Sequence, residues 1–310
     1  MSDAVEILER PTAREIYMLA GWRQWADAGS ISSGLPRYLI GQTNARKIGS
    51  ISPNGFYLFQ IPGTHDLVRP VVKFDNGYPV ALETRKNDIY YAGDDEQGMV
   101  FFIGDEPHLN VDQYVATFLD VAKRLNVKRI ISFGGVYGEL PYDKERMVSS
   151  IISRRSLRSE IADLSVNTSD YHGGASIGSY LCRRAGEQNM DYIGFYAFVP
   201  TYDFSRFQEI GNIIRIENDY MAWLGVMRRV KHMLKLKIDL TDLEEKRNEL
   251  LRSIESKVDE LDNMAPQIGL RDYFAELSAG FTELIFDPLG DVWTDELNRL
   301  FDDSESGEGS

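Results

Sequence analysis

Through the first two-thirds of the chain, apolar residues come in short runs separated by amphipathic stretches. Glu15–Trp22 (EIYMLAGW) and Gly98–Asp105 (GMVFFIGD) have the length and composition of buried strands. Lys128–Gly135 (KRIISFGG) and Asp191–Pro200 (DYIGFYAFVP) read the same way. ARKIGSIS (45–52) predicts a further strand. FYLFQI (56–61), PVVKF (70–74) and DIYYAG (88–93), divided by Pro and Gly, predict short strands and hairpins. Helical spacing is clearest after Asn110, where Val111, Tyr114, Val115, Phe118, Leu119 and Ala122 share one face. Short helices are predicted over 30–41 and Ser176–Gly186. Strand, loop, helix and strand thus recur in order. A parallel crossover needs a helix-sized connection, so the fold class is α/β: a mostly parallel sheet between two helical layers.

From about Asn218 the pattern is helical only. Residues 218–237 predict one helix and 239–264 a second. Leu236, Leu243 and Leu250 form one heptad set, and Leu240, Ile254 and Leu261 the other. Arg247 and Lys257 break the seam, which favours a helix packed in a hairpin over a long coiled coil. Pro266 and Gly269 mark a turn, 271–286 predicts a third helix, and 294–301 a short last one. The predicted organisation is an α/β core over 1–235, a C-terminal acidic helical region over 236–301 packed on it, and a disordered acidic tail over 302–310.

The net charge of −14 changes this picture in one respect. Residues 239–310 carry 20 acidic and 6 basic side chains, so the entire excess lies there. A nucleic-acid partner would need basic clusters, and none is expected. The acidic segment reads as a solvated helix surface, or as an arm for a basic partner. The N-terminus has Asp3, Glu6 and Glu9 where a signal peptide is basic and then apolar, and no apolar run reaches membrane-spanning length. The lone Cys182 cannot form an internal disulfide. The expectation is a cytoplasmic protein with no membrane partner.

GGASIG (173–178) contains G-x-S-x-G, the elbow of serine hydrolases. The preceding NTSDYH does not read as a strand, and His232, the one histidine that follows, lies in a basic helix. No catalytic residue is therefore assigned. Gly173 and Gly174 read as a tight turn, and Ser176 as part of the first helical turn, whose N–H groups can hold an anion or a partner carboxylate. His65, His108, His172 and His232 are scattered without metal-ligand spacing, so no metal is expected. GDDEQG (93–98) reads as a hairpin turn. No phosphate-binding G-x-x-x-x-G-K-[ST] occurs, and GGVYG (134–138) lacks the dinucleotide spacing, so no cofactor is expected. In GWRQWADAG (21–29), Asp27 either caps the following helix or faces a ligand crevice as acid or anchor. Trp22 and Trp25 read as core or as interface anchors.

Taken in order, GWRQWADAGSISSG, RIISFGGVYGELPYDKERMVSS and YHGGASIGSYLCRRAGEQNMDYIGFYAFVPTY resemble the three blocks of the PAC2 family, the proteasome-assembly-chaperone-2-like proteins. The resemblance spans most of residues 15–300, although Gly174-Ala175-Ser176 stands where relatives often have Gly-Pro-Thr. It implies a phosphorylase-like three-layer α/β/α core, a glycine turn after the second block's strand, and a homo-oligomer. It also implies a part in assembling proteasome rings or another protein complex. The expected function is a non-enzymatic assembly or interaction protein. Trp22, Trp25, Asp27, Gly29, Gly134, Gly135, Gly173, Gly174 and Ser176 are the interaction or crevice candidates. The rival is an enzyme holding a nucleotide or nucleoside-like molecule at the carboxyl ends of the strands: a phosphorylase, hydrolase or ATP-dependent ligase.

Overall fold

The computed structural model describes residues 4–60, 69–202 and 216–286. In chain order the elements are β1 (Val5–Ile7), β2 (Glu15–Arg23), α1 (Gly34–Gln42), β3 (Arg46–Ile51), β4 (Val71–Asp75), β5 (Tyr78–Glu83), β6 (Asp88–Gly93) and β7 (Gln97–Asp105). There follow α2 (Val111–Arg124), β8 (Val127–Gly138), β9 (Val148–Ile152), α3 (Arg158–Ile161), β10 (Asn167–Thr168), α4 (Ile177–Glu187) and β11 (Tyr192–Pro200). The helices α5 (Tyr220–Leu234), α6 (Thr241–Met264) and α7 (Leu270–Ala279) close the described chain.

One nine-stranded sheet runs in the order β1-β3-β6-β7-β2-β8-β11-β9-β10. Its centre, β7-β2-β8-β11, is parallel, as the strand-helix-strand order predicts. At one edge β9 is antiparallel to β11 and β10 parallel to β9; at the other, β1, β3, β6 and β7 pair antiparallel, with a hairpin in place of a crossover between β6 and β7. There the predicted hairpin turn forms, with Asp94 Oδ1 accepting from the Glu96 and Gln97 amides at 2.9 and 2.8 Å.

Alternation along the central strands divides the core between two faces. Tyr17 and Leu19 of β2 join one cluster with Leu35 and Leu39 of α1 and with α5. Ile16, Met18, Ala20 and Trp22 join the other, with Tyr114 and Phe118 of α2 and Leu181 of α4. These are the two helical layers. Leu243, Ile254, Val258 and Leu261 of α6 and Phe274 of α7 belong to the same cluster as α5, so the acidic helices add to the first layer. The heptad leucines meet their own chain: Leu236, Leu240 and Leu243 are buried, and Leu250 is half-buried.

Some expectations differ in detail. Residues 56–60 form turns instead of a strand, because Phe56 drops into the core while Tyr57 hydrogen-bonds inward to Asn87 and the Asp105 carbonyl. No turn forms at Gly134-Gly135, since β8 continues to Gly138 beside β11. The third C-terminal helix stops at Ala279, before Gly280, short of residue 286. The predicted helix over 294–301 and the tail over 302–310 lie outside the described residues. Among those described, no helix is long and apolar enough to cross a membrane.

A buried ion pair locks the layers together at the strand ends. Arg146 Nε donates to Asp219 Oδ2 at 2.8 Å, and both side chains are fully enclosed. Arg146 Nη1 also reaches the carbonyls of Pro141, Tyr142 and Lys144. Asp219 Oδ1 caps α5 by accepting from the Ala222 amide at 3.0 Å. Removing one member strands the other charge without water. Arg146→Met is expected to lower the unfolding free energy by about 3–5 kcal/mol. Arg146→Met with Asp219→Asn should cost less than the two single changes summed. Urea denaturation of the four proteins checks both statements, and a loss below about 1 kcal/mol for the single variant contradicts the first.

Candidate functional site

The carboxyl ends of the parallel strands gather most of the residues that the sequence singles out. β2 ends in Trp22 and Arg23, and β7 ends beside it in Asp105, the two strands being in parallel register. The Asp105 carboxylate is buried and fully engaged. Arg23 grips it with Nε at 2.9 Å and Nη2 at 3.1 Å, and Arg85 Nη1 adds a third contact at 2.7 Å. Below this cluster, Trp22 is core, only 3% exposed. Its indole Nε1 donates to the Tyr114 hydroxyl at 2.9 Å, which donates in turn to Asn87 Oδ1 at 3.1 Å.

Trp25 takes the opposite course. Gln24 has φ 109°, a region that residues with side chains rarely adopt, and the chain turns there. Trp25 is left 70% exposed. Its neighbour across the gap is Gly174, where an added Cβ would lie 3.8 Å from the indole. Tyr171, 72% exposed, donates its hydroxyl to the Gly174 carbonyl at 3.3 Å. Tyr137, near the end of β8, is also exposed. An aromatic rim thus stands around the strand ends.

Asp27 is tied to the entry of α1 through the fold, the N-cap position itself being Ser33. Its Oδ1 accepts from the Ser33 amide at 2.8 Å, at the entry to α1. Burial raises its carboxyl above the ordinary value, against the pull of the Ser33 hydrogen bonds and Arg23. Gly29, at φ 60°, lies so close to α5 that a Cβ would fall 2.7 Å from Asp219 Cβ. Its carbonyl accepts from the Asp219 amide at 3.0 Å and from Trp223 Nε1 at 2.9 Å. Gly135 pairs with Asp27 in an isolated bridge and gives its amide to the Ala26 carbonyl at 2.9 Å. A Cβ on Gly135 would meet the Ala28 carbonyl at 2.1 Å, and one on Gly134 would meet the Tyr196 ring at 2.4 Å. These glycines admit neighbouring backbone and rings. Gly173 sits in a bend under the Tyr171 ring.

Ser176 is the N-cap of α4, one residue before the helix. Its Oγ accepts from the Ser179 amide at 3.2 Å and lies 3.1 Å from the Tyr196 hydroxyl. A loop, not a strand, leads into it from β10. His232 belongs to α5 on the other face of the sheet, with its ring against Phe286. The helix N-terminus does hold a carboxylate, and the chain itself supplies it: Glu106 Oε1 accepts from the Ile177 amide at 3.0 Å. Burial raises the Glu106 carboxyl above its ordinary value, and the Ile177 hydrogen bond offsets part of that. Trp22, Ser32, Glu106, Ser176 and Tyr196 line a cavity of about 10 Å³, room for one water. Sequence reasoning missed Glu106, Asp105 and Arg23. The available signal was their position, since each closes or follows a predicted parallel strand.

The PAC2 family model matches residues 22–258. The chain belongs to the PAC2 family. Solved structures share the fold. A protein of unknown function from Corynebacterium glutamicum is 15% identical with a TM-score of 0.71, covering 89% of this chain and 95% of its own. A PAC2 family protein from Streptomyces avermitilis is 18% identical with a TM-score of 0.67, covering 80% and 97%. A proteasome-assembly chaperone homologue from Mycobacterium tuberculosis is 19% identical with a TM-score of 0.66, covering 77% and 94%. No curated protein sequence matches. In this PAC2 chain the first block supplies Trp22, Trp25 and Asp27, the second Gly134, Gly135 and Arg146, and the third Gly173, Gly174 and Ser176. All three blocks meet at the strand ends.

The raised Glu106 carboxyl has a consequence for stability. A group whose folded value lies above its unfolded one favours the protonated native state. Its contribution is therefore present at low pH and lost as pH rises from the ordinary 4.5 through the raised value. Glu106→Gln keeps an acceptor for Ile177 and removes the titration. Unfolding free energies measured by urea from pH 4 to 7 should fall less steeply in the variant, and parallel curves would contradict this. Ser176→Ala removes the cap and should cost about 1 kcal/mol. The same denaturation series reads that loss.

Proposed function

We propose that this PAC2 protein is a non-enzymatic assembly or interaction protein of the cytoplasm, acting as a homo-oligomer, with the strand-end pole as the surface that meets its partner. The carrying observation is the aromatic rim of Trp25, Tyr137 and Tyr171. Exposed Trp and Tyr on a rigid base are the residue types that dominate protein interfaces. The polar groups beneath are engaged with one another: Asp105 with Arg23 and Arg85, Asp27 with Ser33, Glu106 with Ile177. That arrangement supports a firm platform more readily than a ligand pocket. Proteasome subunits are the partner class to try first. The Mycobacterium tuberculosis relative is a proteasome-assembly chaperone homologue, and a 20% identical Pyrococcus furiosus structure with a TM-score of 0.55 is an archaeal proteasome activator.

The test is recovery of a partner from the native host, then affinity measurement with Trp25→Ala and Tyr171→Ala. Trp25 makes little contact with its own chain, so its variant should fold normally and lose about 2 kcal/mol or more of binding, roughly 30-fold in Kd. Unchanged affinity in both variants would remove the rim from the interface.

A second reading has its own support. Asp27 and Glu106 are carboxyls raised by burial, and Glu106 lines one cleft with the Ser176 and Tyr196 hydroxyls. The cavity beside Glu106 admits one water, so an enzyme of this kind would hold its nucleotide, nucleoside or phosphate outside it, at the strand ends. Ligand at 100 times its Kd would stabilise the fold by about 2.7 kcal/mol, readable as a rise in melting temperature. No rise with any of the three would defeat it.

A further inference from the structure

The chain holds two Asn-Gly pairs, Asn54-Gly55 and Asn76-Gly77, and both asparagines are exposed. Such a pair carries its own reactivity. Glycine has no Cβ to shield its amide nitrogen, which can attack the side-chain carbonyl carbon of the preceding asparagine and close a five-membered imide. The structure separates the two pairs. At the first, the Asn54 amide donates to Ser52 Oγ at 3.3 Å, and the Gly55 carbonyl accepts from Asn110 Nδ2 at 2.8 Å. Phe56, next in the chain, is 2% exposed. Its amide donates to the Pro53 carbonyl at 3.2 Å, and its carbonyl accepts from the His108 amide at 2.8 Å. Closing a ring at Asn54 means drawing Phe56 out of the core.

The second pair sits at the tip of the hairpin β4–β5. Asp75 faces Tyr78, so the loop is Asn76-Gly77 alone, with φ 46° and 84°. Positive φ at both positions marks the type I′ turn that Asn-Gly favours. Every strand residue of the hairpin is exposed, and its two strands pair only with each other. A lone two-stranded hairpin is marginal in water, so it opens without disturbing the core. An added Cβ on Gly77 would meet nothing within 4 Å. Asn76 Nδ2 donates to Asp75 Oδ1 at 3.2 Å, a contact open to water.

We propose that Asn76 is a spontaneous modification site, converting to aspartate and isoaspartate through an imide with Gly77, and that opening of the hairpin gates the reaction. Imide closure brings Asn76 Cγ and the Gly77 nitrogen to the same side of the Cα–C bond, which the left-handed turn forbids. In the opened hairpin the Gly77 nitrogen loses its proton to solvent and bonds to Asn76 Cγ. The Cγ–Nδ2 bond breaks and ammonia leaves. Water then adds to one of the two imide carbonyls. Opening at Cγ gives aspartate, and opening at the backbone carbonyl gives isoaspartate, with nothing oxidised or reduced. Either product puts a new carboxylate next to Asp75. Isoaspartate also lengthens the backbone of the two-residue loop by one carbon, so the Asp75–Tyr78 register is lost. The hairpin thereby acquires an irreversible open form whose isoaspartyl carboxylate is the substrate class of carboxyl methyltransferases.

Peptide mapping by mass spectrometry tests the site, with the full chain held at neutral and at mildly alkaline pH. Asn76 should convert at least about 10-fold faster than Asn54, and faster at the higher pH, with isoaspartate read by enzymatic carboxyl methylation. Val72→Cys/Leu82→Cys replaces a facing pair by a disulfide that keeps the strands together. Its oxidised form should convert Asn76 about 10-fold more slowly than its reduced form. Asn54 reacting as fast as Asn76, or Asn76 staying intact while a synthetic peptide of residues 73–81 converts, overturns the site. Equal rates in the oxidised and reduced variant overturn the gate.

Discussion

The contact on which the strand-end pole depends is the ion pair between Arg146 and Asp219. Each charge would be prohibitive alone in that interior, and each is made tolerable by several partners. Asp219 divides its oxygens between a helix cap and a guanidinium, while its amide binds the Gly29 carbonyl. Arg146 spends a second nitrogen on three carbonyls of the loop before β9. Three segments far apart in sequence are held at one point. Gly29 is part of the same lock, because a side chain there would push α5 away. A second buried arginine, Arg229, works the same way further along α5, binding the Leu164 and Ser165 carbonyls, and burial draws its guanidinium down to about 10.

This lock shapes what the pole offers a partner. A parallel sheet opens a crevice at its carboxyl ends, where loops diverge. Here the loops are drawn together, and the acids that line the crevice have internal work. Asp105 neutralises two arginines, Asp27 holds the Ser33 amide ahead of α1, and Glu106 fills the N-terminus of α4. The anion expected at that helix end is thus supplied by the chain. Trp25, Tyr137 and Tyr171 are the aromatic side chains that remain outside around the crevice.

Much of the fold was legible because burial imposes period. EIYMLAGW could only be a strand covered on both sides, and its odd and even residues do separate into two cores. The helix after Asn110 follows from six apolar positions on one face, all buried or half-buried. FYLFQI misled because a short apolar run set off by Pro and Gly reads as a strand. Phe56 is a plug, and its neighbour Tyr57 is held by hydrogen bonds that no local pattern encodes. Gly134-Gly135 misled in the other direction. The family resemblance implied a turn, whereas the need was for the Tyr196 ring and the Ala28 carbonyl to approach a continuing strand.

The candidate residues divide along the same line. By itself the sequence determined the α/β class, the family, the acidic helical region and the set of blocks that converge on one pole, since these follow from periodicity, composition and ordered motifs. Only the tertiary structure decided that Trp22 is core and Trp25 surface, that Asp27 holds the Ser33 amide six residues on, and that Ser176 faces Tyr196 with His232 across the sheet. It alone showed Glu106 at the α4 terminus and PVVKF as part of an exposed hairpin. The physical reason is range. Hydrophobic period is written locally, whereas exposure, ion pairing and capping from a distance depend on which strands become neighbours.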